Sequence, residues 1–295
     1  MIALLRIAMP LAAASFLAAC DENAPEPSAT GVQATMNQVS TPAHPFSLAP
    51  YGSLLSAHVD GAGLVDYPSF KQDAALLDAF IGDLGALPQS EYDPWDNPRQ
   101  LAFWINAYNA ITLKYILDNY PIKKGGLIAG FRFPANSIRQ VSGVWDSKTT
   151  TVMGVPRTLD AIEHEILRVQ FDEPRIHVAI VCAAKSCPPL RGEAYMGERI
   201  EEQLADQSRR FVFDPRNLRI DREEATVHLS SIFDWYGEDF VPVYGEDSLL
   251  PGRDKKESAV LRFCAKFLPE NDAKYLMTET YRVIYADYDW ALNEQ

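Results

Sequence analysis

Residues 99–119 read RQLAFWINAYNAITLKYILDN, the longest helical pattern in the chain, closed by Tyr120 and Pro121. Up to Lys114 the stretch is apolar nearly all the way round, and a helix without a polar face has to lie inside the protein. It therefore predicts a buried helix against which the other elements pack. Asn106 and Asn109, three residues apart, share a face of that helix. A buried amide without hydrogen bonds costs about 1–3 kcal/mol, so both must bond something. They either brace a neighbouring loop or strand or line a pocket.

Outward toward the N-terminus, Leu54, Leu55, His58 and Val59 fall at helical spacing and end at the turn Gly61-Ala62-Gly63, and 76–87 reads as a second amphipathic helix. Toward the C-terminus, 148–152 and 155–158 flank Met153-Gly154 as a β-hairpin. The hairpin leads into the helix DAIEHEILRV, 160–169. Its inner stripe is expected to be Ile162, Ile166 and Val169, and Asp160 and Glu163 fit the positive end of the helix dipole. His164 and Arg168, four residues apart, share another face. His164 is either a hydrogen-bonding surface residue or a base.

Reactive residue types are densest in IHVAIVCAAKSCPPL, 176–190. The β-branched run from His177 to Val181 predicts a strand that delivers Cys182, and a small-residue loop reaches Cys187 before Pro188 and Pro189 stop the element. Strand parity would put His177 and Cys182 on opposite faces. Cys187, beyond the loop, could instead meet His177 or His164. A thiol becomes a good nucleophile when a partner such as imidazolium lowers its pKa. Alternatively the two cysteines close a small disulfide loop, as an oxidising compartment favours, or remain inert thiols. The spacing argues against zinc, and no metal or cofactor is assigned.

Further on, 198–210 reads as an amphipathic helix, 218–220 and 226–229 as a second hairpin carrying His228, and 258–268 as a helix burying Cys264. Phe233 and Trp235 read as core residues, and YRVIYADYDWALN, 281–293, as an alternating strand followed by a docked segment in which Asp289 is a loop cap or a site carboxylate.

Composition bounds the function. The 295 residues carry a formal net charge of −13 and no internal repeat, which argues against a surface for phosphate backbones. The N-terminus MIALLRIAMPLAAASFLAAC has Arg6, a short apolar run and Leu17-Ala18-Ala19-Cys20, the pattern of an export signal. It resembles a bacterial lipoprotein signal, which implies lipidation at Cys20. A Pro-, Ala- and Ser-rich stretch follows to about residue 45 and includes His44; it cannot offset its ordering entropy. The expected organisation is a signal peptide over 1–20, a flexible tether over 21–45 and one globular domain over 46–295. The expected location is the cell envelope, periplasm-facing, with the membrane as partner through the lipid. Asp21 is similar to an inner-membrane retention signal.

FWINAYNAITLKYILDNYP, TLDAIEHEILR, RIHVAIVCAAKSCPPLRGEAY, SSIFDWYGEDF and YADYDWALN, in this order over about residues 50 to 293, together resemble the domain of unknown function 547 family. The resemblance implies one domain and gives weight to Asn106, Asn109, Glu163, His164, His177, Cys182 and Cys187; it implies no substrate. A weaker similarity, to papain- and transglutaminase-like enzymes, rests on a long buried helix followed by a histidine-bearing strand. Those enzymes place the nucleophilic cysteine at the helix start, where this chain has none.

The fold expected is α+β, a helix-rich domain around a small mixed or antiparallel sheet. The leading functional expectation is a thiol-dependent hydrolase or acyltransferase acting on peptide-like or envelope material. Cys187 would be its nucleophile, His177 or His164 its base, and Asn106 or Asn109 an orienting or oxyanion group. Glu163, Arg168, Asn109 and Cys182 complete the candidate site. The rival is a non-catalytic binding lipoprotein in which Cys182–Cys187 is a structural clip.

Overall fold

Asp96 caps the long helix: its side chain accepts the Arg99 N–H at 3.0 Å, and Pro98 follows in the first turn. In the computed structural model, which describes residues 45–124 and 132–295, this helix runs Asn97–Asn119 and is buried over nearly its whole length. The expected lipidated Cys20, His44, nearly all of the tether, and the glycines 125, 126 and 130 lie outside the described residues. Among the described residues, no helix is long and apolar enough to cross a membrane.

We label the helices that frame the molecule α1 (Ala49–His58), α2 (Ala74–Ala86), α3 (Asn97–Asn119), α4 (Ile200–Phe213), α5 (Ser231–Tyr236), α6 (Lys255–Ala265) and α7 (Glu270–Thr278). Strands β1 (Thr150–Val152) and β2 (Val155–Arg157) form the expected hairpin. Met153 and Gly154 take φ of 49° and 73° at its turn, the left-handed pair that a tight hairpin demands. A three-stranded sheet follows the order β3 (Leu218–Asp221), β4 (Thr226–Leu229), β5 (Arg282–Tyr285), the first pairing antiparallel and the second parallel. The architecture is a helix-rich α+β domain with a small mixed sheet.

Two apolar cores result. One surrounds α3 and includes Phe103, Ile111, Phe80 and Leu167. The other packs α4, α5 and α6 over the three-stranded sheet through Phe211, Phe233, Phe263 and Val227.

Three local expectations are corrected. The run 176–181 is not a strand: Pro174–Val178 forms a 3-10 helix and the chain turns after it. Val178, Val181 and Ile176 are buried, and a short apolar run buried on every side carries no periodicity to distinguish the two conformations. The strand parity that separated His177 from Cys182 therefore does not apply. Ile162–Leu167 is a π-helix, in which the Arg168 N–H reaches back to Glu163 O; Ile162 and Ile166 are buried as the stripe required, but Val169 is 72% exposed. Trp235, expected in the core, is 49% exposed.

The C-terminal segment holds the 182–187 loop. Lys185 N–H donates to Ala291 O, Ser186 N–H to Asp289 O, and Asn293 N–H to Ala183 O. From the other side the turn at Gly63 presses on Pro189; a Cβ there would lie 2.5 Å from the proline Cβ, at a φ of +83° that favours glycine.

Candidate functional site

Asn106 and Asn109 do not line a pocket. The Asn106 amide donates to Ala102 O and Tyr195 O at 2.8 and 2.7 Å and accepts the Tyr195 N–H at 3.0 Å. Asn109 donates to Ala179 O at 3.0 Å and accepts the Val181 N–H at 2.9 Å. Both are buried and committed to backbone groups. This corrects the expectation of Asn106 as a catalytic orienter and Asn109 as a ligand contact. The reason is topological: the loops approaching α3 bury their own peptide groups, and the two amides satisfy them. Asn109 thereby positions the segment immediately before Cys182.

That segment opens onto a cavity of about 870 Å³ lined by Tyr108, Glu163, His164, His177, Cys182 and Cys187. The π-helix supplies two of these groups, and wide turns of this kind are frequent at functional sites. Glu163 is buried and accepts a hydrogen bond from the Tyr108 hydroxyl at 3.0 Å. Tyr236 lines the same cavity. Burial first, and then Glu163, push the Tyr108 and Tyr236 phenols above the ordinary tyrosine range, so both stay protonated and Tyr108 remains a donor.

His164 leads into a relay. Arg168 Nη1 lies 3.0 Å from His164 Nδ1; a guanidinium can only donate, so the imidazole accepts there and carries its proton on Nε2. The same guanidinium grips Asp239 with two bonds, Nε to Oδ2 at 2.6 Å and Nη2 to Oδ1 at 2.8 Å. Asp239 Oδ2 meets His177 Nε2 at 2.8 Å. Burial alone would raise the Asp239 carboxyl, but the bonds from His177 and Arg168 outweigh it and hold it well below the usual carboxylate range. The His177 ring stacks on Tyr236, with centroids 4.2 Å apart. Arg168, expected to contact ligand, is thus the brace between His164 and His177 and is not among the lining residues.

Cys182 and Cys187 are joined in a disulfide, with Cα atoms 6.2 Å apart. The Cys182 N–H and the Tyr288 hydroxyl both point at Cys187 Sγ, at 3.0 and 3.1 Å. In this state neither sulfur is a thiolate, which opposes the assignment of Cys187 as nucleophile. Ala183, in the loop between them, takes a φ of 57°, a conformation costing about 1 kcal/mol for a residue with a Cβ. Cys264 is a free, buried thiol inside α6, and burial pushes its pKa far up. Among the described residues, no three His, Cys, Asp or Glu side chains cluster as a metal ion would require.

The structure adds residues that the sequence reading did not single out. Asp239 sits within the motif SSIFDWYGEDF, and only folding reveals that it meets His177. Tyr288 and Trp290 line the cavity, while Asp289 between them points away and caps the Ala291 N–H. Tyr108 and Arg139 also line the cavity.

Residues 92–212 match the profile of a family described as a protein of unknown function, DUF547. The matched part contains α3, the π-helix and the disulfide loop. No curated protein and no solved structure matches the chain.

Proposed function

We propose that this is an exported, lipid-anchored protein that binds a small ligand in the cavity between the π-helix and the disulfide loop. The observation that carries this reading is the pairing of the cysteines at the cavity wall, which leaves the site with hydrogen-bonding and aromatic groups but no free nucleophilic sulfur. Its volume lies within the range of small-molecule sites. Glu163 with Tyr108, and His164 oriented by Arg168, supply polar groups fixed before a ligand arrives. Trp145, Trp235 and Trp290 supply apolar wall. The lipid at Cys20 would hold the domain at the envelope surface, and an oxidising compartment fits the disulfide.

A second reading, a thiol-dependent hydrolase or acyltransferase, is favoured by one observation: Cys187 and His177 line the same cavity. It requires the disulfide to open.

Alkylation with mass spectrometry separates the two. Under the binding reading, unreduced protein labels at neither Cys182 nor Cys187 even when unfolded, and both label after reduction. Rapid labelling of Cys187 in the native, unreduced protein, with an apparent pKa well below about 8.5, would overturn it in favour of the enzyme. As a clip closing a short loop, the disulfide contributes about 2 kcal/mol, so the double variant Cys182→Ser, Cys187→Ser should unfold that much more easily in urea.

A further inference from the structure

The cavity contains one cation whose setting the binding reading leaves unexplained. Arg139 lies in the 3-10 turn Ile138–Gln140, fixed by the buried Ile138 and by the Ser137 Oγ that caps the Arg139 N–H. Its guanidinium carbon stands 4.6 Å from the Phe133 ring centroid, 5.1 Å from Trp145 and 5.0 Å from Trp290. Arg175 and Arg191 each hold two carboxylates. Arg139 has no carboxylate partner among the described residues. Burial, and then Arg132, pull its pKa below the ordinary arginine value, with no carboxylate offsetting them. Asp160, which also lines the cavity, has its carboxyl raised by burial, with Glu163 and Asp146 adding to that shift.

A guanidinium attracted to aromatic rings spends none of its N–H groups on a carboxylate, so its planar fork is left to a ligand. A half-desolvated cation without a counter-charge is costly, and a ligand oxyanion accepting two N–H bonds would relieve that cost. We infer that the ligand carries an oxyanion, a carboxylate or a phosphate, which Arg139 grips while an apolar ring of the ligand lies against Trp145 and Trp290. This inference rests on the ligand-binding reading of the cavity. It names Arg139 as the binding residue that selects ligand charge.

Fluorine NMR with matched fragments tests it on the full soluble domain. The probes are para-fluorophenylacetate, para-fluorophenyl phosphate, the neutral para-fluorophenylacetamide and the cationic para-fluorophenethylamine. At least one anionic fragment should bind about tenfold more tightly than the amide, the factor expected from a charge-assisted hydrogen-bonded pair. Which anion binds better identifies carboxylate or phosphate. The preference should vanish in Arg139→Gln and survive, weakened, in Arg139→Lys. If neutral or cationic fragments bind as well as the anions, the inference fails while the cavity remains a binding site. If anions are preferred but Arg139→Gln keeps the preference in a folded variant, Arg139 is not the selecting group. If no fragment of any charge binds, both the inference and the binding reading fall.

Discussion

Replacing Asn106 with alanine is expected to lower the unfolding free energy by about 3 kcal/mol, without a comparable change in ligand affinity. The amide satisfies three buried backbone groups, Ala102 O, Tyr195 O and the Tyr195 N–H. Truncation leaves the Tyr195 peptide groups with no water to turn to, at about 1–3 kcal/mol for each orphaned group. The helical carbonyl of Ala102 keeps other bonding and adds little. Urea unfolding measures the loss, and Asn109→Ala should behave similarly through Ala179 O and the Val181 N–H. An amide that acted on a ligand would show the opposite pattern, with affinity lost and stability nearly kept. A stability change below about 1 kcal/mol would contradict the bracing role.

Asp239→Ala is expected to cost about 2–3 kcal/mol near neutral pH, below the roughly 3–5 kcal/mol of breaking a fully buried charge pair. The discount is needed because the Asp239 side chain is 24% exposed and that of Arg168 is 30% exposed. His177, at 1% side-chain exposure, loses its carboxylate partner, and Arg168 loses the bidentate grip that orients His164. The pH dependence follows from the direction of the Asp239 shift. Its folded pKa is depressed, so its stabilisation is fully present above the unfolded value of about 3.9 and is lost as pH falls through the folded value. Wild type should therefore lose stability more steeply than Asp239→Asn below about pH 4. Parallel acid limbs in the two urea series would remove Asp239 from the linkage and, with it, the relay joining the histidines.

Much of the scaffold was legible because its causes are local. The nearly continuous apolar surface up to Lys114 required burial, and Met153-Gly154 placed the hairpin turn. The same chain-local logic erred at 176–181, where β-branched residues suggested a strand. Among the described residues no neighbouring strand offers a ladder there, and burial on every side is equally served by a 3-10 turn. It erred again at 162–167, where a one-residue widening of the helix turns Glu163 inward toward Tyr108 and leaves Val169 in solvent.

The candidate site was legible as a set of residue types and illegible as a geometry. Glu163, His164, His177, Cys182 and Cys187 were singled out from sequence and share one cavity. Their partners came from far along the chain: Asp239 for His177 at a separation of 62 residues, and Tyr288 for Cys187 at 101. By itself the sequence determined the central helix, the helix-rich mixed architecture and the residues capable of chemistry, because periodicity, caps and turn residues act over a few positions. Tertiary structure alone decided that the asparagines brace backbone, that the cysteines pair and that Arg139 faces the cavity with no carboxylate partner among the described residues. Those outcomes depend on which distant groups packing brings within hydrogen-bonding distance, about 3 Å, and no local pattern encodes that proximity.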